Sequence, residues 1–179
     1  INNFTPFLGK ISSIIVSPGI AWDHEALNSL RNKNISIKGE TELAWEDLKD
    51  IPSIGVTGTN GKTTVSHMLN HVLKLNGLNT EMGGNVGKAL SQIALDFKQK
   101  NSRNLNWLVI ELSSYQIESS QNITPSIGIW TTFSPDHLER HKDIENYFNI
   151  KRSLLERSSI RIYNSDDEYL CNRRNELPE

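Results

Sequence analysis

The sequence predicts an α/β protein, a mainly parallel sheet with helices on both faces. Three observations predict it. Short apolar runs alternate with amphipathic segments along nearly the whole chain. A glycine-rich turn carrying Gly61-Lys62-Thr63 stands between one such run and one such segment. A strongly apolar run, "NWLVIEL", ends on a carboxylate, at the strand end where open α/β sheets bind ligands.

The elements follow in order. "ISSIIVSPG" is a strand closed by a Ser-Pro-Gly turn. "AWDHEALNSLRNKN" has Ala21, Trp22, Ala26, Leu27 and Leu30 at helical spacing. "ISI" is a strand and "ETELAWEDLKD" a helix, so an α/β unit ends near Asp50-Ile51-Pro52. Residues 1–49 are therefore expected to form one unit, and 50–179 the start of another. In the second unit "PSIGVTG" is a buried strand. A helix starts at Thr64, with Val65, Met68, Leu69, Val72 and Leu73 as its apolar stripe and Gly77 as its C-cap. "LNTEM" is a strand, "GGNVG" a loop, "KALSQIALDFKQK" a helix and "NWLVIEL" a strand. "SIGIWTTF" is a strand, "SPDHLERH" a polar loop, "DIENYFNIKRSLLER" a helix and "IRIYN" a last strand.

Composition narrows the function classes. The chain has 179 residues, 36% of them hydrophobic, with 19 basic against 21 acidic residues. Balanced charge leaves no basic footprint for nucleic acid. No apolar run reaches membrane-span length, and no signal peptide is visible. A single Cys171 excludes an internal disulfide framework and fits a reducing cytosol. The chain opens on Ile1 in ordinary globular sequence and stops in the charged helical stretch "DDEYLCNRRNELPE", so an internal fragment of a longer protein is expected.

Five places carry candidate chemistry. The first is "GVTGTNGKTTVSHML". The common phosphate loop, G-x-x-x-x-G-K-[ST], needs a glycine at position 56, which is Val56. The frame here is shorter and anchored on Gly58 and Gly61. A helix N-terminus behind it offers backbone N–H groups and partial positive charge to an anion. Lys62 can reach terminal phosphates, and the Thr63 hydroxyl can ligate Mg²⁺. The second is Glu111, either a cation ligand beside that loop or a solvated strand-end carboxylate. "SSYQIE" behind it offers hydroxyls to a substrate or caps to a helix. The third is "SPDHLERH", where His137 is a metal ligand or proton carrier, or Ser134 or Asp136 merely caps a helix. The fourth is Lys151, which falls within the apolar stripe of Ile144, Tyr147, Phe148, Leu154 and Leu155. It snorkels, or it is buried with a lowered pKa, nucleophilic and open to carbamylation by CO₂. The fifth is "GGNVG", a second anion loop with Asn85 as donor, or a plain turn.

Together these pieces resemble the Mur ligase family of ATP-dependent amide-forming enzymes. "GTNGKTT" matches its nucleotide loop G-x-x-G-K-[ST]-[ST], and "GGNVG", "ELSSYQIE", "DHLERH" and "NIKRSLLE" follow in the family's order. "ELSSYQIE" is similar to the branch that adds D-glutamate to UDP-N-acetylmuramoyl-L-alanine. The resemblance spans nearly the whole chain, from "SPGIAWDH" to "YNSDDEYL". It implies an ATP-binding central domain preceded by the end of a Rossmann-like substrate domain. It implies that Gly58, Thr59, Asn60, Gly61, Lys62, Thr63 and Thr64 hold ATP, with Lys62 on the β- and γ-phosphates. Thr63 and Glu111 would hold one Mg²⁺; His137 and a carbamylated Lys151 would hold a second. Asn85, Ser113 and the turn Ser17-Pro18-Gly19 would contact the UDP-sugar, with Asp136 beside the second metal. Lys62, His137 and Lys151 would be the catalytic set. The resemblance further implies a bacterial cytoplasmic monomer, acting in peptidoglycan synthesis through an acyl phosphate. The alternatives are another Mur-type or folylpolyglutamate-type ligase, or a non-ligating nucleotide-binding module. The family's uracil-binding strands and C-terminal domain are expected outside the chain, so the chain alone is expected not to complete the ligation.

Overall fold

The computed structural model describes residues 9–99 and 104–178. Two parallel sheets organise it. In the first, β1 (Ser13–Val16) and β2 (Ser36–Gly39) pair in parallel, Ser13 beside Ser36 and Val16 beside Gly39. Helix α1 (Glu25–Arg31) connects them and buries Leu27 and Leu30 against Val16.

Five parallel strands make the second sheet: β3 (Ser53–Thr57), β4 (Thr80–Gly84), β5 (Trp107–Glu111), β6 (Ile127–Trp130) and β7 (Ile160–Tyr163). Their spatial order is β4-β5-β3-β6-β7. β3 is central and buried along its whole length, which is why its sequence shows no apolar–polar alternation across Ile54, Gly55 and Val56. The chain leaves β3 for one edge and later returns to its other side. This reversal opens a crevice at the carboxyl ends of β3, β5 and β6, where open α/β sheets bind ligands.

Helices cover both faces. On one, α3 (Lys62–Leu75) lays Val65, Leu69 and Leu73 over Ile54, Val56 and Val109. It starts two residues earlier than the sequence suggested, at Lys62. Its expected stripe also included Met68 and Val72, which are 62% and 52% exposed. Fully buried Ser66 marks the direction in which α3 meets the sheet. At 3.6 residues per turn, Met68 and Val72 fall on the flank away from Ser66. On the other face lie α4 (Leu90–Gln99) and α7 (Ile144–Glu156), with Leu90, Ile93 and Leu154 packed on Leu108 and Ile110.

Helix α2 (Glu40–Leu48) belongs to this second core. Ala44, Trp45 and Leu48 share it with Leu90, Ile93 and Leu108. The boundary expected at Asp50 thus cuts through one continuous apolar cluster. Period alone shows that α2 has a buried face, but not which sheet covers it. Polar ties reinforce the packing: Glu40 accepts from the Ser91 amide at 2.8 Å, and Gln116 donates to Thr41 Oγ1 at 3.3 Å. A third cluster, Trp130, Phe133, Tyr147, Phe148, Leu155, Leu170 and Leu177, anchors α8 (Glu168–Asn172).

Candidate active site

β3 ends at Thr57, and the glycine-rich loop turns back across the end of β6. Gly58 has φ 151° and Gly61 φ 80°. The loop is held by residues just past β6. Thr59 N–H donates to Thr132 O at 2.8 Å, and Asn60 N–H to Thr132 Oγ1 at 2.9 Å. Thr131 Oγ1 donates to Asn60 O at 2.5 Å. The apolar run "SIGIWTTF" predicts a strand through both threonines; β6 stops at Trp130, which frees them for this role. Gly61 is the N-cap of α3, and Thr63 and Thr64 stand exposed on its first turn. Lys62 Nζ folds back on Gly58 O and Thr59 O, both at 2.9 Å. Burial pulls its ammonium below the ordinary lysine value, while the charges of Glu111 and Asp136 oppose that shift.

Glu111 closes β5 with 1% exposure, so it is not a solvated strand end. Its Oε1 accepts from Asn85 Nδ2 at 3.0 Å. Asn85 N–H donates to Glu111 O at 2.8 Å. The preceding Gly84 makes room, since a Cβ there would lie 2.2 Å from Glu111 O. Glu111 Oε2 is buried with no hydrogen-bond partner. An unpartnered buried carboxylate oxygen is costly unless a cation meets it. Glu111 lies near enough to the glycine-rich loop to act on the Lys62 charge, and a bare carboxylate oxygen there fits a hard, oxygen-seeking divalent cation.

Ser113 is the N-cap of α5 (Ser114–Glu118), in a full capping box with Gln116. Its hydroxyl lies 3.0 Å from Gln116 Oε1, so its capping reading holds in the structure. Asp136 Oδ1 accepts from the His137 amide at 2.9 Å. His137 takes a left-handed φ of 52° before the single turn α6 (Leu138–His141), and its ring is near Asp136 and Glu139.

Lys151 is buried at 1% exposure rather than snorkelling. Its Nζ donates to Gly58 O at 2.9 Å and Thr57 Oγ1 at 3.4 Å, over the Tyr147 ring at 4.8 Å. Burial, then the positive charge of Lys62, pulls its pKa down to about 7, with Asp136 opposing. Two lysines thus share the Gly58 carbonyl. Among the described residues no three His, Cys, Asp or Glu side chains gather as a ready-made metal centre. His137 stands on the solvent side and Lys151 beneath the loop. The turn Ser17-Pro18-Gly19 is closed by Ile20 N–H to Ser17 O at 3.0 Å.

Several residues at the site carried no flag in the sequence. Tyr147 reads as core, yet its hydroxyl lies 3.3 Å from Thr59 Oγ1 and its ring covers Lys151. His141 is buried, 2.8 Å from Ser114 Oγ, and stacked on Tyr147 at 5.2 Å. Arg140 lies over the Tyr115 ring at 4.7 Å. For Tyr147 the available signal was an aromatic with a polar tip ten residues past His137 and four before Lys151.

Fold and site define the class: a parallel α/β protein with a glycine-rich strand-to-helix loop and a buried strand-end carboxylate beside it. A family model described as the Mur ligase middle domain matches residues 56–179, and the chain belongs to the Mur ligase family. The UDP-N-acetylmuramoylalanine–D-glutamate ligase of Prochlorococcus marinus (strain NATL2A) is 68% identical over 179 residues, 100% of this chain and 38% of that protein. The protein of the same description from Synechococcus sp. (strain CC9902) is 53% identical, over 99% of this chain and 38% of its own length. The chain thus spans 38% of the length of these relatives. Solved structures share the fold. A UDP-N-acetylmuramoyl-L-alanyl-D-glutamate–2,6-diaminopimelate ligase has a TM-score of 0.61 at 18% identity, over 96% of this chain and 45% of its own. MurF ligase from Thermotoga maritima in complex with ADP has a TM-score of 0.59 at 16% identity, over 95% and 47%. No helix among the described residues is long and apolar enough to cross a membrane.

Proposed function

We propose that the chain is the nucleotide-binding part of an ATP-dependent ligase that joins D-glutamate to UDP-N-acetylmuramoyl-L-alanine in bacterial peptidoglycan synthesis. One observation of the geometry carries the reading. Glu111 is buried with a free carboxylate oxygen at the strand end beside a loop shaped for phosphate. The substrate pair is supported by the 68% identity to a ligase of that description.

The loop residues Gly58 to Thr64 would take ATP, with Lys62 leaving its two carbonyls for the β- and γ-phosphates. Thr63 and Glu111 would hold one Mg²⁺. His137 and Lys151 would hold a second, Lys151 as its carbamate. A pKa of about 7 supports that chemistry, because a neutral amine is the form that adds CO₂. Bound Mg²⁺ supplies positive charge between two approaching anions. The substrate carboxylate attacks the γ-phosphorus, the bond to the β–γ bridging oxygen breaks, and ADP leaves. The D-glutamate amine then attacks the acyl carbon; the bond to phosphate breaks and the amine proton is lost. Lys62 holds charge at the phosphates throughout. Asn85 orients Glu111 from one side and offers its edge to the UDP-sugar. Ser113, Asp136 and the turn Ser17-Pro18-Gly19 would contact the same substrate.

Residues 1–39 would then be the end of a sugar-nucleotide domain and 40–179 the first part of the ATP domain, the divide falling between β2 and α2. The whole protein would work as a cytoplasmic monomer. The test is phosphate release by the whole protein. It should require ATP, UDP-N-acetylmuramoyl-L-alanine and D-glutamate together. No release with all three present sinks the reading. Equal turnover with other acceptors would make it another ligase of the family.

A further inference from the structure

We infer that Arg140 is a positioning residue that latches the Ser17–Ile20 turn to the His137 loop and so sets affinity for the sugar-nucleotide substrate. The inference rests on the functional reading above for the identity of that substrate. Its geometric part stands alone. Arg140 sits on α6, three residues past His137, with a side chain only 14% exposed. One guanidinium nitrogen donates to Ile20 O, the last residue of the turn after β1, at 3.1 Å. The same nitrogen donates to Glu118 Oε2 on α5 at 3.1 Å. The guanidinium plane covers the Tyr115 ring at 4.7 Å, and that ring in turn packs on His137 at 5.3 Å.

Three segments therefore meet on one side chain: the turn of the first sheet, the helix capped by Ser113, and the loop bearing His137. Ile20 O belongs to a turn rather than a ladder, so this bond comes on top of the turn's own closure. An exposed pair, Lys142 Nζ to Asp23 Oδ2 at 2.7 Å, spans the same gap. Solvent and salt weaken that pair, whereas the partly buried, planar Arg140 contact resists them. The glycine-rich loop takes its backbone ties from Thr131 and Thr132, and Thr59 Oγ1 also meets Ser134, three residues before His137. Loss of Arg140 should therefore move the sugar-nucleotide side of the crevice more than the ATP side.

The experiment compares whole protein with Arg140→Met and Arg140→Lys. Arg140→Met should raise KM for UDP-N-acetylmuramoyl-L-alanine about tenfold, with the KM for ATP within about twofold. Arg140→Lys, able to reach one partner at a time, should recover part of the loss. Hydrogen exchange supplies an arm independent of substrate. In Arg140→Met the amides of residues 17–23 and 138–141 should exchange faster, while β3 and β5 stay protected. An unchanged sugar-nucleotide KM overturns the inference. So does a parallel worsening of every kinetic constant with a lowered Tm, which marks a structural role. Wild-type protein that ignores the sugar nucleotide overturns the functional reading instead, and unaltered exchange at residues 17–23 then rejects the latch itself.

Discussion

At Lys151, burial and the neighbouring Lys62 charge act in the same direction. In the folded protein its pKa is about 7, against 10.5 in a free chain. Between these values the unfolded chain binds a proton that the folded one has released. Stability must then rise with pH from about 7 towards 10.5, with a limiting slope of about 1.4 kcal/mol per pH unit. Urea denaturation at pH 7, 8 and 9 should show this rise in the wild type and a flatter profile in Lys151→Met. Equal slopes would mean that Lys151 is not buried as a free amine. His141 behaves in the same sense at lower pH. Burial, then the charge of Arg140, lowers its pKa from 6.5 to about 4. Protonation favours the unfolded chain across that window, so stability should fall as pH drops from 6.5 to 4. His141→Gln should lose less over the same window, as read by urea midpoints at pH 6.5 and 4.5. The oddity of Lys151 was legible as a charge in an apolar stripe. His141 was not, because its burial depends on α5 and α7 closing around a one-turn helix.

At the scale of elements, the strand–loop–helix unit from β3 to α3 is where we propose the nucleotide binds, and its two loop glycines are unequal. At Gly61 a Cβ would find its nearest atom at 3.6 Å, so only the left-handed backbone resists substitution. Gly61→Ala should cost about 1–2 kcal/mol. At Gly58 a Cβ would lie 2.0 Å from Thr131 Oγ1 and 3.0 Å from Thr132 N. Gly58→Ala must push away the two residues that hold the loop. It should cost more stability and remove ATP binding, measured by denaturation and by titration with a fluorescent ATP analogue. Equal effects at the two positions would contradict the loop geometry. Periodicity located this unit correctly because strand, turn and helix each leave a local signature. It placed Met68 and Val72 on the wrong side because the rotation of α3 is set by the sheet under it, with Ser66 innermost.

For the molecule as a whole, α2 decides how the two sheets are joined. Trp45, 4% exposed, packs with residues of α4 and β5. Trp45→Ala should cost about 3–5 kcal/mol and lower the cooperative transition of the five-stranded sheet, followed by circular dichroism. A chain cut to begin at Asp50 should leave Leu90, Ile93 and Ala94 uncovered and should unfold at lower urea than one begun at Gly39. If the two chains melt alike, α2 is peripheral and the divide returns to Asp50. Local sequence by itself determined the α/β class, the parallel order of strands and helices, the strand-to-helix turn with Gly58, Gly61 and Lys62, and the position of Glu111 at a strand end. These follow from short-range chemistry: period, turn residues and strand termini. Only the tertiary structure decided that Glu111 keeps one oxygen unpartnered and that Lys151 and Lys62 meet at one carbonyl. It also decided that α2 packs with the second sheet and that Arg140 bridges to Ile20. Those facts depend on pairs far apart in the chain. Their distances are set by how sheets and helices close on one another, which no local pattern encodes.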